Sequence, residues 1–389
     1  MAKTYRNLYP GLVRFDNLWQ AYRQAARGKR GKGPVAAFEW DLEDNLLRLQ
    51  EELVGRIYAP GGYHSFHIRD PKHRLVSAAP FRDRVVHHAL CNVIEPLFER
   101  TFIGDSYANR IGKGTHGALD RAQQFSRRYR YVLQCDVRQF FPSIDHACLR
   151  SVLARKLDDA DLLWLIDAIL ASGAQELRDE YTQVYFPGDD LLAATRPRGL
   201  PIGNLTSQFW ANCYLNELDQ CVKRELRCGA YVRYVDDFLL FADEKGVLWG
   251  WKEAIRGKLA DLRLTLHERS STVFPVADGI PFLGFRIYPN HRRLKRRNGV
   301  AFARRLRRYR GELAQGTLDL EGFRTRIRGW IAHAAHADTW GLRRALLREP
   351  LPAMAHRRGD APGWGSGLPA VAADPGPSVE GLGRVEVTH

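Results

Sequence analysis

The sequence predicts an α+β fold built on a β-α-β-β-α-β unit, and three observations predict it. Residues 230–243, AYVRYVDDFLLFAD, set two adjacent aspartates between two short runs of strand-forming residues, the pattern of a tight hairpin with Val235, Asp236 and Asp237 at its tip. Residues 129–145, YRYVLQCDVRQFFPSID, give a strand over 131–135 that ends in Asp136. Helical periodicity fills the interval before the hairpin and returns over 248–262, with a last strand expected near 264–266. In such a split βαβ unit the first strand neighbours the central hairpin, so Asp136 and Asp236 are expected to meet in space.

Composition narrows the function before any motif does. A chain of 389 residues exceeds the usual single domain, and 45% hydrophobic residues suffice for a large core. A formal charge of +15 and a pI near 9.7 call for a polyanionic partner. Aromatic residues interleave with the cations, and no apolar run reaches the ~18 residues of a membrane span, so nucleic acid is favoured over a membrane. The start, MAKTYRNLYP, lacks a signal peptide's apolar core, and a cytoplasmic location is expected. Cys91, Cys135, Cys148, Cys213, Cys221 and Cys228 form no CxxC pair and sit mostly among apolar neighbours, which reads as buried thiols. The pairs His87 with His88 and His333 with His336 lack a partnering Cys or acid at metal-ligand spacing.

Along the chain, residues 1–60 show two amphipathic helical blocks, one carrying Leu12, Phe15, Leu18, Trp19 and Tyr22, the other Phe38, Leu42, Leu46, Leu49 and Leu53. The basic, glycine-rich loop 27–33 between them fits a phosphate contact or a solvated linker alike. Residues 63–80 turn strand-like, with Lys72, His73 and Arg74 at a hairpin, where cations suit a triphosphate or simply an exposed turn. A helix follows over 81–98, then the loop 106–116, SYANRIGKGTH, which is rich in glycine and cations but lacks Walker spacing.

Asp136 at a strand end suits a metal ligand, while Ser143 and Asp145 are the better caps for the helix that begins at 142–145. Two carboxylates held as close as Asp236 and Asp237 repel, and hard oxygen donors suit Mg²⁺ or Mn²⁺; taken alone, the same pair fits an ordinary acidic turn. After an apolar helix over 162–170 and a polar connection over 173–198, the segment GLPIGNLTSQ, 199–208, opens a helix running through Leu218. Gly203 permits close approach of another backbone, and Asn204, Thr206 or Ser207 can cap that helix.

Taken jointly, Asp136-Val137 followed by Phe141, then Leu200-Pro201-Ile202-Gly203, then Tyr234-Val235-Asp236-Asp237 resemble the catalytic motifs of a reverse transcriptase palm, and the likeness extends over about residues 40–345. The resemblance implies a right-hand polymerase: N-terminal extension and fingers over 1–125, palm over 126–290 with a fingers-like excursion at about 173–212, helical thumb over 291–348, and a disordered tail over 349–389. It implies RNA-directed DNA synthesis, with Asp136, Asp236 and Asp237 catalytic and with two Mg²⁺ ions, or Mn²⁺, held by these carboxylates and the Val137 carbonyl. It assigns Lys72, Arg74, Phe141, Ile202 and Gly203 to the incoming dNTP, Phe141 as a steric gate at C2′, and residues 282–285 to a primer grip. The implied partners are template RNA, an RNA/DNA duplex and dNTPs.

Among bacterial branches, residues 202–208, IGNLTSQ, are most similar to the enzymes of diversity-generating retroelements, whereas group II intron maturases usually carry Gln where Ile202 stands. That likeness implies error-prone copying at template adenines, aided by a small basic accessory protein. A maturase-like RNA-binding role and an antiphage role are the alternatives. One departure stands out: many such enzymes place a lysine after the last palm strand as proton donor, but residues 267–271, HERSS, offer none, leaving His267, water or an unassisted step. Beyond the palm, residues 292–310 hold ten Lys and Arg around a helical stripe of Phe302, Leu306 and Tyr309, continued by Leu313, as a thumb gripping phosphates would. A second thumb helix is marked by Leu320, Phe323, Ile327, Trp330 and Ile331.

Overall fold

The computed structural model describes residues 3–68 and 73–348. Nine strands occur in it: β1 (His64–Ile68), β2 (Arg74–Ala78), β3 (Tyr131–Asp136), β4 (Tyr231–Tyr234), β5 (Asp237–Ala242), β6 (Thr272–Pro275), β7 (Ile280–Phe282), β8 (Phe285–Ile287) and β9 (Arg292–Leu294). The central sheet has the order β4-β5-β3-β6 and is antiparallel throughout. With helices Leu205–Gln220 and Lys245–Asp261 as its two crossovers, this is the split βαβ arrangement expected from the sequence.

The sheet is buried on both faces because its strands are apolar at successive positions rather than alternate ones. On one face Leu133, Cys135, Tyr231, Phe238 and Leu240 join a core that includes Ile94, Trp210, Leu215 and Ile255 from the surrounding helices. On the other, Val132, Val232, Leu239 and Phe241 meet Leu119 and Phe125 together with Phe282 and Phe285 of the β7-β8-β9 sheet. The strand ends that emerge between these two layers carry the acidic residues.

Several expectations need correction. The last strand of the unit is Thr272–Pro275, not 264–266. Residues 264–267 instead brace the chain leaving β3: the Arg138 N–H donates to the Thr265 carbonyl at 2.8 Å, the His267 N–H donates to the Asp136 carbonyl at 2.8 Å, and Leu266 forms a lone bridge with Val137. The N-terminal blocks are four helices rather than two, Tyr9–Leu12, Phe15–Ala26, Gly33–Trp40 and Leu42–Val54; Asp41, at φ −121° and ψ 53°, breaks the second block. After β3 a single turn, Phe140–Ser143, precedes helix His146–Ala154, whose cap is Asp145, accepting the Cys148 N–H at 2.9 Å.

Helices Arg296–Ala314 and Leu320–Ala334 close on a core of their own, in which Phe302 stacks on Trp330 with ring centroids 3.8 Å apart. The basic stretch enters this region as strand β9 before becoming helical. All six cysteines are free thiols, five buried and Cys148 half-buried. No helix among the described residues is long and apolar enough to cross a membrane. The tail expected to be disordered, 349–389, lies outside the described residues.

Candidate active site

Three carboxylates reach the same end of the central sheet. β4 and β5 pair through Tyr234 and Asp237, leaving Val235 and Asp236 as a two-residue turn, and Val235 takes φ 56°. Asp237 therefore begins β5, where it lies directly opposite Asp136 in the β3–β5 register. The Val137 N–H donates to the Asp236 carbonyl at 3.3 Å, tying the turn to the end of β3.

Burial, together with the charges of Asp136 and Asp236, pushes the Asp237 carboxyl up to about 7; a hydrogen bond from Gln134 and the charge of Lys295 act the other way. Crowded like charges of this kind are relieved by a cation, and an all-oxygen donor set matches Mg²⁺ or Mn²⁺ better than a softer metal. Among the described residues no group of three or more His, Cys, Asp or Glu side chains is arranged to hold a metal ion. In donor chemistry the carboxylates fit the expected ions.

The cleft above them has a volume of about 570 Å³ and is walled by segments far apart in the chain. Arg74, the first residue of β2, lines it, with His73 beside it; Lys72 lies outside the described residues. Phe141 lines a second side: Gln139, at φ 46°, reverses the chain after β3, so that Phe140 is buried in the core while Phe141 stays half-buried and edge-on to it at 5.3 Å. Ile202 supplies the third side and His267, with Leu283 of the β7–β8 turn, the fourth.

Ile202 is held there by the hairpin of β1 and β2. Its carbonyl accepts the Ser77 N–H at 2.9 Å, and a Cβ on Gly203, at φ 119°, would stand 3.0 Å from Val76 Cγ1. Gly203 thus faces β2 and is absent from the cleft lining. Asn204 makes no side-chain cap; its Nδ2 donates to the Ser77 and Pro201 carbonyls at 2.9 and 3.1 Å, and its Oδ1 accepts the Ala79 N–H at 3.1 Å. The segment anticipated as a helix cap is a staple between two parts of the cleft wall.

Sequence reasoning missed Gln139 and Glu180, both on the lining. Gln139 Nε2 donates to the Glu180 carbonyl at 2.8 Å and its Oε1 accepts the Thr182 N–H at 3.1 Å, which anchors the polar 173–198 connection beside the cleft. A connection without periodicity carries no signal for such a contact. Lys295 also escaped notice, as one cation among ten in a basic stretch.

Residues 68–287 match the family model described as reverse transcriptase (RNA-dependent DNA polymerase). Protein YkfC of Escherichia coli (strain K12) is 25% identical over 286 residues, covering 63% of this chain and 72% of YkfC. Group II intron-encoded protein LtrA of Lactococcus lactis subsp. cremoris is 25% identical over 226 residues, 57% of this chain, which spans only 36% of LtrA. A solved apo telomerase from Candida Tropicalis superposes with a TM-score of 0.43 at 12% identity, over 60% of this chain and 55% of that one, too loosely to add to the sheet order.

Proposed function

The chain belongs to the reverse transcriptase (RNA-dependent DNA polymerase) family, and from that premise we propose that it copies an RNA template into DNA at the cleft bounded by Asp136, Asp236 and Asp237. The observation that carries this reading is the register that sets Asp136 opposite Asp237 at the floor of a cleft also lined by Arg74, Phe141 and Ile202. Asp136 and Asp236, with Asp237 in support and the Val137 carbonyl, would hold two Mg²⁺ ions. Held there, such ions would supply acidification of the primer 3′-hydroxyl and neutralisation of charge on the triphosphate and the departing pyrophosphate.

The chain's own residues do the rest by position. Arg74 binds triphosphate oxygens through charge-assisted hydrogen bonds. The Phe141 ring crowds C2′ of the sugar. Ile202 presents an aliphatic surface to the nascent base pair, and the proton for pyrophosphate comes from His267, which lines the cleft, or from water, unless that step is unassisted.

Primer extension by the purified full chain on an RNA template, with dNTPs and Mg²⁺, tests the reading. Asp236→Ala is expected to lower extension by at least about a thousandfold while RNA affinity stays within about twofold; extension retained in Mg²⁺ would overturn the assignment.

At finer grain, the 202–208 segment supports error-prone copying of the diversity-generating kind, with a small basic accessory protein as partner. An aliphatic residue beside the base pair offers no polar contact to penalise a mismatch. Sequencing the products of the same assay decides this point: errors concentrated at template adenines support it, and errors spread evenly over all four bases count against it. The likeness to LtrA favours a second reading, RNA binding in the manner of an intron-encoded protein. Tight binding of a structured intron RNA by an Asp236→Ala chain would support that reading.

A further inference from the structure

The turn that presents Asp236 is strained, and the structure shows what holds it. Val235 is β-branched yet sits at φ 56°, a conformation that the first position of a tight hairpin turn demands and that glycine adopts without cost. Two residues earlier, on β4, Arg233 reaches under the turn and donates from Nη1 to the Val235 carbonyl at 3.0 Å. Its guanidinium is fully buried and committed elsewhere as well: Nε and Nη2 donate to the two oxygens of Asp219 at 2.7 and 2.6 Å, and Nη1 also donates to Asn212 Oδ1 at 3.2 Å. Asp219 is equally buried and accepts the Tyr231 hydroxyl at 2.8 Å. The Arg233 backbone is fixed too, its N–H donating to the Asp105 carbonyl and its own carbonyl accepting the Tyr107 N–H, each at 3.0 Å.

A buried ion pair is a poor way to join a helix to a strand, because desolvation takes back most of the Coulombic gain and an apolar pair would pack as well. What the pair adds is a rigid fork whose remaining edge grips one particular carbonyl. That carbonyl belongs to the peptide joining Val235 to Asp236. The next peptide, joining Asp236 to Asp237, is held by the Val137 N–H at 3.3 Å. The two peptides that flank Asp236 are thus fixed from separate elements.

We propose that Arg233, braced by Asp219, is a positioning residue for nucleotidyl transfer: it locks the peptide ahead of Asp236 and so aims that carboxylate into the cleft. This inference rests on the nucleotidyl-transfer reading above. Its electrostatics agree, since the Arg233 charge and that of Asp236 attract one another.

Primer extension by the full chain with Mg²⁺ varied tests the proposal. Arg233→Lys keeps the charge and loses the fork. It is expected to lower kcat by about tenfold or more, to leave KM for dNTP within about twofold, and to raise the Mg²⁺ concentration giving half-maximal rate. Tyr231→Phe removes one hydroxyl from Asp219 and leaves the ion pair, so it serves should Arg233→Lys fail to fold; a loss of about threefold in kcat is expected. Val235→Gly removes the need for a grip, and added to either variant it is expected to restore about half or more of the kcat which that variant loses. Unchanged kcat in both variants overturns the proposal, as does a loss that tracks a fall in Tm and is not relieved by Val235→Gly. A wild-type chain that extends no primer refutes the nucleotidyl-transfer reading itself and takes this proposal with it.

Discussion

Phe141 owes its place to one backbone angle two residues before it. The positive φ of Gln139 turns the chain back so that consecutive phenylalanines divide, one into the core and one toward the cleft. Phe141→Ala is expected to raise the ratio of ribonucleotide to deoxyribonucleotide kcat/KM by about tenfold or more, because removing the ring opens the space at C2′. Incorporation of single ribonucleotides on a defined template measures it, and an unchanged ratio would place the gate elsewhere. Residues of this kind are legible in the sequence only through the company they keep. Asp136, Asp236, Asp237, Arg74 and Ile202 stand beside strand and turn signals that fix where they point. Arg233 stands among the same signals, yet nothing in an alternating pattern tells a buried, fully bonded arginine from a solvated one. Its partners Asp219 and Asn212 are separated from it by the end of a helix and a connecting segment.

Among the elements, β3 and the β4–β5 hairpin follow the sequence closely because β-branched and aromatic runs bounded by acids leave little choice of register. The last strand lies at Thr272–Pro275 although the apolar residues of 264–266 suit a strand as well as those of β6 do. Hydrogen bonds to the chain leaving β3 decide between the two segments, and those are long-range. The staple at 202–204 shows the same limit: Asn204 reads as a helix cap, yet the buried Ser77 carbonyl and Ala79 N–H, at the end of β2, take its side chain instead. Gly203→Ala should destabilise the chain by about 1–3 kcal/mol, since φ 119° is unfavourable for any side chain and the added Cβ would press on Val76 Cγ1 at 3.0 Å. Denaturant unfolding checks the magnitude. The same variant is expected to raise KM for dNTP more than it lowers kcat, because the staple positions β2, and with it Arg74, rather than the carboxylates.

For the whole molecule, charge and layering set the behaviour. The family match ends at residue 287, ahead of the most basic helix, Arg296–Ala314, which turns Phe302, Leu306 and Leu313 inward and leaves Arg304 and Arg307 exposed. Affinity for an RNA/DNA duplex is expected to fall steeply with salt, and neutralising Arg304 and Arg307 together should reduce the slope of log K against log salt by about 2. Titrations at several salt concentrations measure this, and an unchanged slope would remove that helix from the duplex path. The sandwich of two cores around one sheet was foreseeable from the unbroken apolar character of β5, and the separate core under Phe302 and Trp330 from helical periodicity. How the N-terminal helices break was not, because Asp41 interrupts a stretch whose apolar spacing runs on regardless.

The valine at the head of the acidic turn also bears on the order of assembly. A hairpin whose turn opposes its own residue cannot nucleate pairing from the turn outward, as a glycine or asparagine turn would. β4 and β5 must then be zipped from elsewhere, from β3 along the register and from the helix that carries Asp219, both of which precede them in the chain. The loop that becomes the reactive end of the sheet is, on this account, among the last parts of it to close. A nascent or partly unfolded chain would hold the rest of the cleft wall before it holds Asp236 in place, and local opening of the turn would disturb the carboxylates first.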